Sequence, residues 1–179
     1  MKFYVFLIIL LPYITIDLFE ESRVKDMPWI KINPQEVTFE DVKKMVNSQH
    51  FIFTPTTIRV KGGTTTTLTD YRNKVKVEGS RIEAYLEVIL TKEIIISNRP
   101  FLDYNVTGTI ENLSIDVKER REIIKMKFEV IPDDNMQVTH RRKMQFDFTF
   151  YKSGKTNLNL FVRGVYIPYT GYSRPLSTE

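Results

Sequence analysis

From Val75 onward the chain repeats one pattern, an apolar side chain at every second position with polar or charged residues between. A two-residue period places alternate side chains on opposite faces of an extended strand. Val75 and Val77 alternate with lysines, and the Glu78-Gly79 turn leads into Ile82, Ala84, Leu86 and Val88, which alternate with Arg81, Glu83, Tyr85 and Glu87. Leu113, Ile115 and Val117 alternate with Ser114, Asp116 and Lys118, and a charged tip at residues 118–122 turns the chain into Ile124, Met126, Phe128 and Val130. Met144, Phe146, Phe148 and Phe150 make the next row, and Ser153-Gly154 turns it into Leu158, Leu160 and Val162. Clean alternation over successive short segments predicts antiparallel strands with one face buried and one face wet.

One helix precedes the strands. Thr38 is a good N-cap with Asp41 at the third helical position, a variant of the capping box. Val37 and Val42 occupy the staple positions, and Phe39, Val42, Met45 and Val46 form one apolar face. The expectation is a mainly β domain, an antiparallel barrel or an open sandwich, lipocalin-like in outline, with one N-terminal amphipathic helix near 38–49 covering an end or seam. No repeat, low-complexity tract or linker divides residues 22–179, which read as a single β domain.

Residues 1–21 read differently. Lys2 precedes the uncharged run FYVFLIILLPYITI at 3–16, which stops at Asp17, Glu20 and Glu21. The run is shorter than the roughly 20 residues of a membrane-spanning helix and has the layout of a secretory signal peptide. No small-residue pair marks a cleavage site, so the alternatives are a signal peptide and an uncleaved apolar segment. The expected location is the periplasm or cell surface, with no transmembrane span in the mature chain.

Composition removes several function classes. There is no cysteine, so disulfides, thiolate metal sites and a thiol nucleophile are excluded. Two histidines, His50 and His140, share no ligand spacing. A net charge of +4 without a dense basic module gives no expectation of nucleic-acid binding. The sequence carries no nucleophile elbow, zinc-protease motif, phosphate loop, dinucleotide fingerprint or calcium loop. The expected cofactor list is empty, and Gly62-Gly63 reads as a turn.

Three constellations remain as candidates. Asp133-Asp134 with the possible basic loop His140, Arg141, Arg142 and Lys143 reads either as an anion-docking loop or as a solvated connection. Glu83 and Glu87, four apart on an outward face, lack the facing geometry of a glycosidase pair. Tyr85, Tyr151, Phe161, Tyr166 and Tyr169 read as an outward aromatic set, a ligand mouth or partner surface in one reading and a second packing layer in the other. Within that set Tyr85, Tyr151 and Tyr169 are the expected ligand- or partner-binding residues.

A further signal is the order of landmarks: Phe51-Ile52-Phe53; Gly62-Gly63 ahead of Leu68-Thr69 and Tyr71; Val75, Val77, Gly79, Ile82 and Ala84-Tyr85-Leu86. Phe101, Asp103-Tyr104 and Val106 follow, then Ser153-Gly154, Leu158, Leu160, Val162, Arg163 and Ile167-x-Tyr169-x-Gly171. Over about two thirds of the chain this order resembles a Bacteroidota family of small exported proteins catalogued as a domain of unknown function, family number 4251. Members often follow the Tyr-Leu pair with proline and a short aromatic stretch, whereas Glu87 and Val88 stand here. Many also carry a lipid-attachment cysteine, which this chain lacks. The resemblance implies a periplasmic or surface β domain, with no activity and no catalytic residues.

The functional expectation is a non-enzymatic exported envelope domain binding a small apolar or amphipathic ligand. The alternative is an envelope protein-protein interaction or structural module, and a hydrolase-type enzyme comes third. Large inward residues such as Phe146, Phe148 and Phe150 argue for a filled interior within that frame.

Overall fold

The computed structural model of the chain describes residues 37–59, 63–88, 104–133, 143–162 and 164–176. The expected N-terminal signal segment and His140, Arg141 and Arg142 of the basic loop lie outside these residues.

Helix α1 spans Phe39–Ser48. Its first turn is closed by the expected capping box: the Asp41 amide donates to Thr38 Oγ1 at 3.2 Å, and the Thr38 amide donates to Asp41 Oδ2 at 3.1 Å. Gln49 ends it in the left-handed region, and the chain turns directly into the first strand. Val42, Met45 and Val46 are buried, whereas Val37 stays exposed, so only one half of the expected staple is packed.

The strands are β1 (His50–Arg59), β2 (Thr65–Thr67), β3 (Lys74–Glu78), β4 (Arg81–Leu86), β5 (Tyr104–Lys118), β6 (Ile123–Pro132), β7 (Met144–Tyr151), β8 (Lys155–Val162) and β9 (Val165–Pro175). Every pairing between them is antiparallel. The order β1-β3-β4-β5-β6-β7-β8-β9 returns to β1 through a β1–β9 pairing, which closes an eight-stranded barrel and leaves β2 as a short flap on β1. The closed barrel therefore replaces the open sandwich of the two expected forms. Closure removes exposed strand edges, the usual hazard of an all-β chain.

The closing seam depends on backbone contact. Pro55 lies opposite Gly171, and the register shifts by one residue between Pro55 and Thr57. A proline cannot donate to a ladder, so a bulge is where a strand tolerates it. A methyl group on Gly171 would sit 2.1 Å from the Thr54 carbonyl oxygen, so only glycine lets β9 approach β1 this closely.

The predicted inward rows are the core. Phe148 lies against the rings of Phe51, Phe53, Phe128, Phe146 and Phe150, with centroids between 5.5 and 6.4 Å away. Each fully buried aromatic of this kind stabilises by about 1.5–3 kcal/mol through area removed from water. Toward the other end the interior is occupied by Ile58, Leu86, Val130, Met144, Val162 and Ile167, all buried. Helix α1 packs against β1 and β7, and Lys43 Nζ reaches Glu119 Oε1 at 2.9 Å in the turn between β5 and β6. The helix thus plugs the opposite end, that of the β5–β6 turn. The far end carries the residue 68–73 loop, the start of the connection after β4, and the β8–β9 turn.

Candidate functional site

The three tyrosines expected to converge do not. Tyr85 stands outward on β4, between Lys74 of β3 and Asn105 of β5. Tyr151 stands half-buried at the end of β7, three strands further around the wall, where its hydroxyl accepts from Asn157 Nδ2 at 3.3 Å. Tyr169 points inward and is only 1% exposed, which corrects the outward reading. The reason is parity: Leu158 pairs with Tyr169 and Leu160 with Ile167, so Tyr169 belongs to the core row, while Phe161 pairs with Tyr166 on the outside. Residues 166 and 169 differ by an odd number and cannot share one face of a regular strand. Burial of the phenol is made tolerable by a 3.1 Å hydrogen bond from its hydroxyl to the Glu87 carbonyl.

Tyr85 belongs instead to a polar cluster at the far end. The Asp70 carboxylate accepts from the Arg72 amide at 2.9 Å, from Arg72 Nε at 3.0 Å and from the Tyr85 hydroxyl at 3.3 Å. The Arg72 guanidinium lies over the Tyr85 ring, 4.6 Å from its centroid. These hydrogen bonds, those from the Arg72 side chain first, hold the Asp70 carboxyl at about 2, well under the ordinary carboxylate range. Asn73 is buried beside it, accepting from the Glu87 amide at 2.7 Å and donating to the Asp70 carbonyl at 2.9 Å. Its side chain acts as a surrogate strand partner where the β3–β4 ladder ends. The Asp-x-Arg-Asn spacing was the sequence signal for this loop, because Asp side chains commonly bond the amide two residues on. The cluster pins the loop against β4, with Leu68 and Asn73 buried and Tyr71 at its tip turned out to solvent.

Tyr151 belongs to a second surface, the outer wall of β7, β8 and β9. Its rows run across the three strands. Gln145, Phe161 and Tyr166 form the row nearest the far end; Asp147, Asn159 and Pro168 form the next; Thr149, Asn157 and Thr170 form the third. The Phe161 and Tyr166 rings are 4.6 Å apart with a 39° tilt, and Tyr166 is 62% exposed. Gln145 Nε2 donates to both Asp147 oxygens at 3.0 and 3.1 Å. In the third row Thr170 donates to Asn157 Oδ1 at 3.1 Å.

The described members of the remaining candidates stand in surface pairs. Asp133 is gripped by both terminal nitrogens of Arg81, which holds its carboxyl below the ordinary range. Lys143, the one described member of the basic loop, donates to Glu129 Oε2 at 3.1 Å and lies 3.7 Å from Glu111 Oε2. Glu83 faces Lys74 at 3.3 Å, and Glu87 Oε2 accepts from Asn73 Nδ2, so the two glutamates serve separate contacts. Among the described residues no group of histidines and carboxylates is placed to hold a metal ion, and no helix is long and apolar enough to cross a membrane.

A closed eight-stranded antiparallel barrel, with one α-helix packed on β1 and β7 among the described residues, defines a small β-barrel domain. Residues 33–173 match the family described as Domain of unknown function (DUF4251), and the chain belongs to that family. A crystal structure of a DUF4251 family protein from Bacteroides eggerthii is similar to it, with a TM-score of 0.59 at 15% identity, covering 78% of this chain and 89% of that one. Comparison with curated proteins finds no match.

Proposed function

We propose that this protein is an exported, non-enzymatic envelope domain that acts by binding, and that it binds with its outer surface rather than in a lumen. The observation that carries this reading is the packing of six buried phenylalanine rings against one another inside the barrel. A lumenal apolar ligand needs room that the rings of Phe51, Phe53, Phe128, Phe146, Phe148 and Phe150 already occupy. Exposed apolar side chains are found on the outside, where Val165 and Tyr166 stand with half-buried Phe161 on one hairpin, and Tyr71, Ile131 and Tyr172 stand elsewhere. A binding role is favoured over catalysis because Asp70 is engaged by Arg72 and Asp133 by Arg81, each in an ion pair.

Calorimetric titration of the purified protein with palmitate and with 1-anilinonaphthalene-8-sulfonate tests the reading. Neither probe is expected to show saturable one-to-one binding. Stoichiometric binding that raises the thermal midpoint and is altered by Phe148→Leu would replace surface binding with lumenal binding.

A further inference from the structure

Charge is unevenly spread over the outer wall of the barrel, and a nearly neutral patch on β7, β8 and β9 ends at Lys155 and Tyr172, the next row of β8 and β9. Outward side chains of β3 to β6 form ion pairs, among them Lys74 with Glu83, Lys76 with Glu78 and Lys118 with Asp116. The three rows across β7, β8 and β9 hold amides, hydroxyls, a proline and two aromatic rings, with Asp147 as their one charged group. Lys125 and Lys127 of β6, opposite Thr149 and Asp147, mark the boundary between the two sides. Solubility alone is served by charge spread over the whole surface, so the nearly neutral patch needs another account.

We propose that this wall binds a neutral glycan, with Tyr166 and Phe161 as the stacking platform and Asn159 and Asp147 as the groups that hydrogen-bond sugar hydroxyls. This rests on the surface-binding reading above. A sugar ring presents an apolar C–H face and a rim of hydroxyls, and carries no charge. Exposed aromatic faces match the first feature, and amide and carboxylate side chains supply donors and acceptors for the second. The wall sets the two side by side: Asn159 is two residues from Phe161 on the same face, about 7 Å along the strand. Asn159 is exposed and keeps no side-chain hydrogen bond among the described residues. Asp147 is oriented by Gln145 through one edge of the amide, which leaves carboxylate lone pairs for a hydroxyl.

Other occupants fit less well. An anionic lipid surface or a nucleic acid requires basic side chains, and these three rows have none. A protein partner of ordinary affinity is anchored by a centre of clustered aromatic and apolar side chains, whereas here amides and hydroxyls outnumber the apolar groups and a single aromatic pair stands beside them.

The test is amide chemical-shift mapping on the full chain with three neutral probes, maltohexaose, cellohexaose and chitohexaose. At least one is expected to shift amides of residues 157–162 and 165–170 saturably. Tyr166→Ala should weaken that binding about tenfold, the loss of one stacking ring. Tyr166→Trp should retain it, and Tyr85→Ala, on the far wall, should leave it unchanged. Circular dichroism of each variant checks that the fold is kept. Absence of shifts with all three probes, or shifts elsewhere on the barrel, would overturn the glycan assignment. If those probes fail while a photo-crosslinker at position 166 joins a protein, surface binding stands and the glycan does not. Lumenal binding of palmitate would remove both.

Discussion

The Tyr169 hydroxyl donates to the Glu87 main-chain carbonyl at 3.1 Å, tying the middle of β9 to the chain leaving β4. The two strands are not neighbours, since β1 and β3 lie between them in the ring. The bond therefore runs inside the barrel and holds the far end together where the β3–β4 ladder has stopped. It gives a buried phenol a structural task and withdraws Tyr169 from any binding surface.

Tyr169→Phe should lower stability by about 1–2 kcal/mol, because it leaves a carbonyl with reduced hydrogen bonding while keeping the ring. Tyr166→Phe on the outer wall should change stability by less than about 0.5 kcal/mol. Urea denaturation of both variants checks the pair, and equal losses would show that the inward placement of Tyr169 is wrong.

Phe148 is the centre of the aromatic core, so Phe148→Ala should cost about 3–5 kcal/mol, a large share of a domain's total stability. Thr149→Ala, one residue on and facing outward, should cost well under 1 kcal/mol. Chemical denaturation reads both, and similar losses would contradict the alternation of β7.

How legible each element was follows from its side chains. In β7 and β8 every inward residue from Met144 to Phe150 and from Leu158 to Val162 is large and apolar, so the period of two is unmistakable. In β5 the inward positions include Gly108, which carries no hydropathy signal, and a bulge between Glu111 and Ser114 resets the phase. Its first half is therefore legible only through the landmarks Phe101, Asp103-Tyr104 and Val106. In β9 Tyr166, Ile167 and Tyr169 place apolar rings on both faces, which is why Tyr169 was assigned to the wrong one. Barrel closure has no local signature, because β1 and β9 are the first and last strands and meet only in the fold. The Asp70–Tyr85 and Asn73–Glu87 contacts depend in the same way on the end of β4 arriving beside the loop, whereas the Asp70–Arg72 contact is local.

The Asp70 carboxyl ionises near 3.8 in an unperturbed chain and at about 2 in the fold, chiefly through hydrogen bonds from Arg72. A lowered carboxyl pKa stabilises the protein above the unfolded value, and that contribution disappears as pH falls through the folded value. Asp70→Asn should therefore lower the unfolding midpoint near neutral pH, with the difference from the parent shrinking between pH 3.8 and about 2. Denaturant titrations across that window check it. A difference that persists undiminished at the acid end would mean the contact does not act through charge.

Asn73→Ala should cost about 1–3 kcal/mol, because the Glu87 amide and Asp70 carbonyl lose their partner in a buried position. Amide hydrogen exchange is the sharper readout. Protection at Glu87 should fall well below that of Ala84 in the same variant, since Ala84 stays in the β4 ladder. Unchanged protection at Glu87 would show that Asn73 does not hold this end.

Gly171→Ala tests the seam that makes the sheet a barrel. The added methyl would meet the Thr54 carbonyl oxygen at 2.1 Å and the Pro55 Cα at 2.6 Å, both backbone atoms. Neither can turn aside as a flexible side chain would, so β9 must back away from β1 or the bulge at Pro55 must reshape. The expected cost is at the upper end of the roughly 1–3 kcal/mol for overpacking, with loss of amide protection concentrated along Thr54 to Ile58 and Tyr169 to Ser173. Gly79→Ala is the matched control. Its added methyl meets nothing within 4 Å, and φ is +60°, so only left-handed strain of about 1–2 kcal/mol applies. Its effect should stay local to the β3–β4 turn. A Gly171→Ala protein as stable as the parent, with the seam amides still protected, would mean that β9 does not close against β1 at this distance.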